Sequence, residues 1–112
     1  MEYHEPPETL NEAVKDHHRV LRSIIEELEA VDWYIQRADV TSRPLLRRFL
    51  LHNAKEEMEH AVMGFEYLRR VFLMWEDMID EHLYTDGEYL GEYDGEFDVA
   101  VQTFLEERGE DD

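Results

Sequence analysis

The stretch Lys55-Glu56-Glu57-Met58-Glu59-His60-Ala61 lies within a run of apolar residues that recur at helical spacing: Leu46, Phe49, Leu50, Ala61, Phe65, Leu68, Phe72, Trp75, Ile79 and Leu83. That periodicity predicts an amphipathic helix from about Arg43 to Leu83, ended by the turn Thr85-Asp86-Gly87. Within it Glu57 and His60 are three residues apart and project from one face. Gly64 is the single breaker in its interior, and the missing side chain permits close contact with a neighbouring helix. At ~1.5 Å per residue an unbroken helix of this kind would reach about 60 Å, too long for a small monomer. Its far half is therefore expected to pack on another subunit, or the helix to bend.

Upstream, Leu10, Val14, Leu21, Ile24, Ile25, Leu28, Val31 and Ile35 recur at spacings of three, four and seven, predicting a first amphipathic helix from Glu8 to about Arg37. Pro6 and Pro7 fall before or within its first turn, and Glu8 and Glu12 lie near the positive end of its dipole. The segment Asp39-Val40-Thr41-Ser42-Arg43-Pro44 reads as a short connection, with Thr41 or Ser42 capping the next helix and Pro44 in its first turn. So short a link makes the two helices antiparallel neighbours. Downstream, the glycines and acids between Asp86 and Glu96 predict a loop, and Phe97, Ala100, Val101, Phe104 and Leu105 predict a short C-terminal helix. The expected division is an N-terminal extension over 1–7, a two-helix domain over 8–84, the loop and short helix over 85–108, and an acidic tail over 109–112.

A chain of 112 residues with 36% charged side chains has room for one small domain with a modest core, which favours self-association. The absence of cysteine excludes disulfides, zinc–thiolate sites and iron–sulfur clusters, so any metal must take oxygen and imidazole ligands. A formal charge of −18 repels nucleic acid and anionic membranes and attracts cations. The acidic N-terminus lacks the basic and apolar regions of a signal peptide, and charges interrupt every hydrophobic run short of a membrane span. A cytoplasmic protein is expected. The acid-rich surface, with Lys15 and Lys55 as the only lysines, is consistent with a high-salt cytoplasm.

Glu57 and His60 form a Glu-x-x-His element, the ligand pair of carboxylate-bridged di-iron sites. A carboxylate can bridge two metals and shift its binding mode as iron goes from Fe(II) to Fe(III), while imidazole gives each iron a nitrogen donor. A complete site takes one Glu from each of two helices and Glu-x-x-His from each of two more. This chain holds one element of each type, so Glu27, Glu57 and His60 make half a set, which a two-fold axis would double. Tyr34 is seven residues from Glu27 and shares its face, as a phenol one or two turns from the metal. Glu26, Glu29 and Trp33 define a separate face of the first helix, suited to collecting cations. Other readings stand beside this one. Glu-x-x-His arises by chance in acidic helices, Trp33 and Tyr34 suit a core or interface, and His17 and His18 suit a surface or interface. His52 is a weaker ligand candidate. The chain would then be a non-enzymatic acidic helical oligomer, or an interaction module that binds a divalent cation.

The block Glu26-Glu27-Leu28-Glu29-Ala30-Val31-Asp32-Trp33-Tyr34, followed by Gln36-Arg37, resembles the encapsulated ferritins, the ferritin-like proteins of encapsulin nanocompartments. His52-Asn53, Glu56 to Ala61 and Tyr67-Leu68-Arg69-Arg70 extend the likeness. The resemblance implies an all-α, ferritin-like half-bundle: two long antiparallel helices and a short third, forming a four-helix bundle on dimerisation. It implies a ferroxidase whose di-iron site forms only across an obligate dimer, in an annular decamer housed in an encapsulin shell for iron storage and detoxification. Carried over by position, Glu27, Glu57 and His60 are the iron ligands with Tyr34 beside them. Glu26, Glu29 and Trp33 become the site where metal enters, open to calcium or another divalent cation. One feature departs from the family: the end Phe104-Leu105-Glu106-Glu107-Arg108-Gly109-Glu110-Asp111-Asp112 is acidic and does not resemble the small, apolar and basic targeting peptide that docks such proteins on the shell.

Overall fold

Asn11 begins the first helix: its side-chain oxygen accepts the backbone N–H of Val14 at 3.1 Å, satisfying one of the donors a helix start leaves open. Helix α1 then runs Glu12–Val40. Pro7 opens a separate 3-10 turn, Pro7–Thr9, so the helix starts at Glu12 rather than at Glu8. The computed structural model describes residues 3–91 and 94–110, which contain three more helices: α2 (Pro44–Val71), α3 (Leu73–His82) and α4 (Gly95–Glu110). The chain divides into two units, Met1–Ile79 and Asp80–Asp112, with the boundary inside α3.

Thr41, Ser42 and Arg43 alone separate α1 from α2. Arg43 stands at the N-cap in extended backbone and Pro44 takes the first helical position, where its missing N–H costs nothing. Neither Thr41 nor Ser42 caps α2 through its side chain; Thr41 Oγ1 instead accepts the N–H of Arg43 at 3.3 Å. The turn is tied by Arg47, whose Nε donates to the Ala38 carbonyl at 3.0 Å and whose Nη2 donates to the Thr41 carbonyl at 2.6 Å. These bonds occupy carbonyls that the end of α1 leaves open. Going up α2 from Arg47 to His60, the partners on α1 go down from Ala38 to Glu27, so the two long helices pack antiparallel.

Ile24 and Ala38 of α1 and Leu50, Ala54, Ala61 and Leu68 of α2 are the buried apolar residues among those described, on the two helices that pack together. The α2 members recur at four and seven residues, one stripe of the helix. Alanine at three of the six positions lets the backbones come close, and Leu68 is fully enclosed.

The predicted second helix does not run unbroken to Leu83. It stops at Val71, and Phe72 takes an extended conformation (φ −115°, ψ 99°) before α3 begins. No proline or glycine stands there. The break instead accompanies two contacts with His17 of α1: the Phe72 ring meets the imidazole edge-on at 4.9 Å, and the Trp75 indole N–H donates to His17 Nε2 at 2.9 Å. His17, expected at a surface or interface, is half-buried in this aromatic cluster.

Near the end of α2, Glu66 accepts two bonds from Arg69, at 2.8 and 2.7 Å, and one from Arg70 at 2.6 Å. These hydrogen bonds, Arg69 foremost, lower the Glu66 pKa from 4.5 to about 2. Because the folded value lies below the unfolded one, the pair stabilises the fold above pH 4.5, and that contribution fades as pH falls towards 2. A carboxyl NMR titration should place the Glu66 midpoint near 2 and show it rising in Arg69→Ala. A wild-type midpoint at 4.5 would contradict the clamp.

In the second unit, Asp94 caps α4 by accepting the N–H of Phe97 at 3.0 Å, which starts the helix at Gly95, within the segment read as loop. Phe97, Val101, Phe104 and Leu105 stay exposed. Of the acidic tail expected at 109–112, Gly109 and Glu110 belong to α4, and Asp111 and Asp112 lie outside the described residues. Among the described residues no helix is long and apolar enough to cross a membrane.

Candidate metal centre

Helical spacing puts Glu57 and His60 on one face of α2, and the antiparallel register sets Glu27 of α1 opposite them. His60 Nδ1 lies 3.4 Å from Glu27 Oε2 and 3.7 Å from Glu57 Oε2. One donor atom from each of the three residues falls within 4.8 Å of the others, and among the described residues no second group of three or more acids and histidines does so. Two donors held by one ion at roughly 2.1 Å each stand about 3 to 4 Å apart. The group is therefore close to metal-holding geometry as it stands. Two carboxylates and an imidazole, without sulfur, suit iron, manganese or zinc by donor chemistry.

The two carboxylates are half-buried, with 28% of the Glu27 side chain and 24% of Glu57 exposed, while His60 is more open at 46%. Partial burial of two like charges makes a cation between them favourable. Glu27 and His60 also line a groove of about 260 Å³ that continues past Ile24 and Gly64 to Arg19 and Tyr67.

Tyr34, two turns along α1 from Glu27, is half-buried beneath the Arg37 guanidinium, 5.4 Å from its ring centroid. Glu26, Glu29 and Trp33 are exposed on α1, and Trp33 borders a shallow depression with Gln36 and Arg37. His52 is exposed and pairs with Glu56 at 3.3 Å. In the sequence Ile24 is one apolar residue among several in the periodic face of the first helix. Its importance comes from lying opposite Gly64, a pairing that only the register of two distant segments creates.

Fold and site together define an antiparallel helical hairpin with a carboxylate–carboxylate–imidazole group bridging its two helices. The chain belongs to the EncFtn-like family, whose model matches residues 2–86. It is 48% identical over 84 residues to the encapsulated ferritin-like protein of Rhodospirillum rubrum, a match covering 75% of this chain and 60% of that one. The match thus spans less than two thirds of that relative's length. It is 45% identical over 85 residues to the ferritin-like protein of Thermotoga maritima, covering 76% of this chain and 75% of the relative. The crystal structure of protein ne0167 from Nitrosomonas europaea superposes with a TM-score of 0.74 at 37% identity, over 80% of this chain and 99% of the other.

Proposed function

We propose that the chain is one half of a ferroxidase centre, completed by a second copy of itself, that oxidises Fe(II) to Fe(III) with dioxygen. The observation that carries this reading is the convergence of Glu27, Glu57 and His60 across the α1–α2 seam. One chain supplies two carboxylates and one imidazole, half of the four carboxylates and two imidazoles of a bundle di-iron site. A two-fold axis beside the site doubles the ligands and turns two helices into four. The apolar side chains left in water on α1 and α2, among them Leu28, Phe49, Met58, Val62 and Met63, support a subunit interface, because an isolated small chain rarely leaves so much apolar surface uncovered.

In this arrangement Fe(II) is the substrate. Glu57 bridges the two ferrous ions, while Glu27 and His60 cap each of them. The carboxylates offset the positive charge that grows as each iron gives an electron to dioxygen. Tyr34 stands by as a nearby phenol, and Glu26, Glu29 and Trp33 admit divalent cations, calcium included, from the acidic exterior. The dimers build an annular decamer. Because a ring encloses no storage cavity, the ferric product passes into a surrounding encapsulin compartment, a reading supported by the name of the encapsulated ferritin-like relative. The site lies wholly in the two-helix part of the chain, 8–84, while α4 falls beyond the family match at 2–86.

Aerobic addition of Fe(II) to the purified protein tests this directly. Ferric absorbance should rise faster than in buffer, and light scattering should show subunits pairing as iron is added. Oxidation no faster than in buffer would overturn the ferroxidase reading.

A further inference from the structure

We infer that Gly64 sets which size of cation the Glu27, Glu57 and His60 group accepts, by fixing through Ile24 how closely α1 and α2 approach. The inference rests on reading those three side chains as metal ligands. Gly64 lies four residues after His60 on α2, and Ile24 lies three residues before Glu27 on α1, so the pair sits one turn along the seam from the ligands. A Cβ placed on Gly64 would meet Ile24 Cγ1 at 2.5 Å, Cδ1 at 3.0 Å and Cβ at 3.9 Å. Ile24 therefore occupies the space where any other residue at position 64 would begin its side chain.

Ile24 has little freedom to retreat. It is 5% exposed, in a seam with Ala61 and Leu68, and a β-branched side chain in a helix keeps essentially one χ1 rotamer. A methyl group added at position 64 must then be accommodated by moving the helices apart. The consequences for the ligands are unequal. Glu57 and His60 share α2 and keep their spacing, whereas the 3.4 Å approach of Glu27 to His60 crosses the seam and widens. Ions with bonds of about 2.0–2.2 Å need Glu27 held close, while calcium, at about 2.3–2.6 Å, tolerates a wider cage. Gly64 is thus a positioning residue that holds the centre at the dimension of a small transition-metal ion.

The test is calorimetric titration of the full chain with Co(II), a stand-in for Fe(II) that air does not readily oxidise, and with Ca(II). Gly64→Ala should weaken Co(II) binding about tenfold relative to Ca(II), on the scale of losing a residue that orients a ligand. Ile24→Ala in the same chain removes Cγ1 and Cδ1, leaving only the ordinary 3.9 Å contact, and should restore the wild-type ratio. Ile24→Ala alone should lower thermal stability without weakening Co(II) relative to Ca(II), because it removes side-chain atoms from the seam and adds none that would push the helices apart. If Gly64→Ala does not fold, Gly64→Ala with Ile24→Val, which removes Cδ1 but keeps Cγ1 against the new methyl, should give a ratio between those of the wild type and the tenfold shift. Equal losses for the two ions, or no rescue by Ile24→Ala, would overturn the inference. Wild-type binding that survives Glu57→Ala would mean the ligand reading itself fails and takes this inference with it. Binding lost in Glu57→Ala, with an unshifted ratio in Gly64→Ala, would sink the spacing role alone.

Discussion

Glu57→Ala is expected to lower the rate of Fe(II) oxidation by at least about 100-fold, because losing even a group that merely orients a metal ligand typically costs ~10–100-fold, and Glu57 is proposed as the bridge itself. The loss should occur without unfolding. Glu57 is not part of the buried seam, and its close contact is with His60 at 3.7 Å, another member of the same group. Circular dichroism should therefore match the wild type. Glu59→Ala, at an exposed position on α2, is the matched control and should oxidise Fe(II) normally. Oxidation by Glu57→Ala at the wild-type rate would remove the residue from the chemistry. A loss equal to that of Glu59→Ala would point to surface charge as the cause.

Leu68→Ala should cost about 2–5 kcal/mol of folding stability, the range for deleting a buried leucine and leaving a cavity. Leu68 is completely enclosed, with a relative exposure of 0%, and it belongs to a core that comprises six of the described residues, three of them already alanine. With a total stability of roughly 5–15 kcal/mol for an ordinary domain, a thin seam has little margin for such a loss. Ligand binding should offset part of it: a metal present at 100 times its dissociation constant adds about 2.7 kcal/mol. Urea unfolding of the metal-free protein, with and without the substitution, measures the difference. A change below about 1 kcal/mol would mean that the seam is not where the apo chain holds its structure.

The parts of this molecule that sequence makes legible are those decided within a few residues. Glu57 and His60 share a face because a helix of any origin puts residues three apart together, and the Thr41 to Pro44 segment makes a tight turn whatever surrounds it. What lies across the seam is less legible. That Glu27 comes within 3.4 Å of His60 depends on the register between helices, which no local pattern specifies. The break at Phe72 is hidden for the same reason. The apolar rhythm of Leu68, Phe72, Trp75 and Ile79 runs straight through it, and the contacts that accompany the break come from His17, 58 residues before Trp75. At α4 the glycines weighed against helix, yet Asp94 caps the chain and Gly95 lies inside the first turn.

Arg47 holds the two chain directions together at the turn through its bonds to Ala38 and Thr41. A helix is stiff, and at ~1.5 Å per residue the 13 positions from Arg47 to His60 amount to a ruler of about 20 Å. A slip of one residue at the turn would carry His60 ~1.5 Å along the seam and swing it roughly 100° away from Glu27. The accuracy of the candidate metal centre is therefore decided far from Glu27, Glu57 and His60, at a guanidinium that works as a zero mark: every distance between the two helices is counted from it.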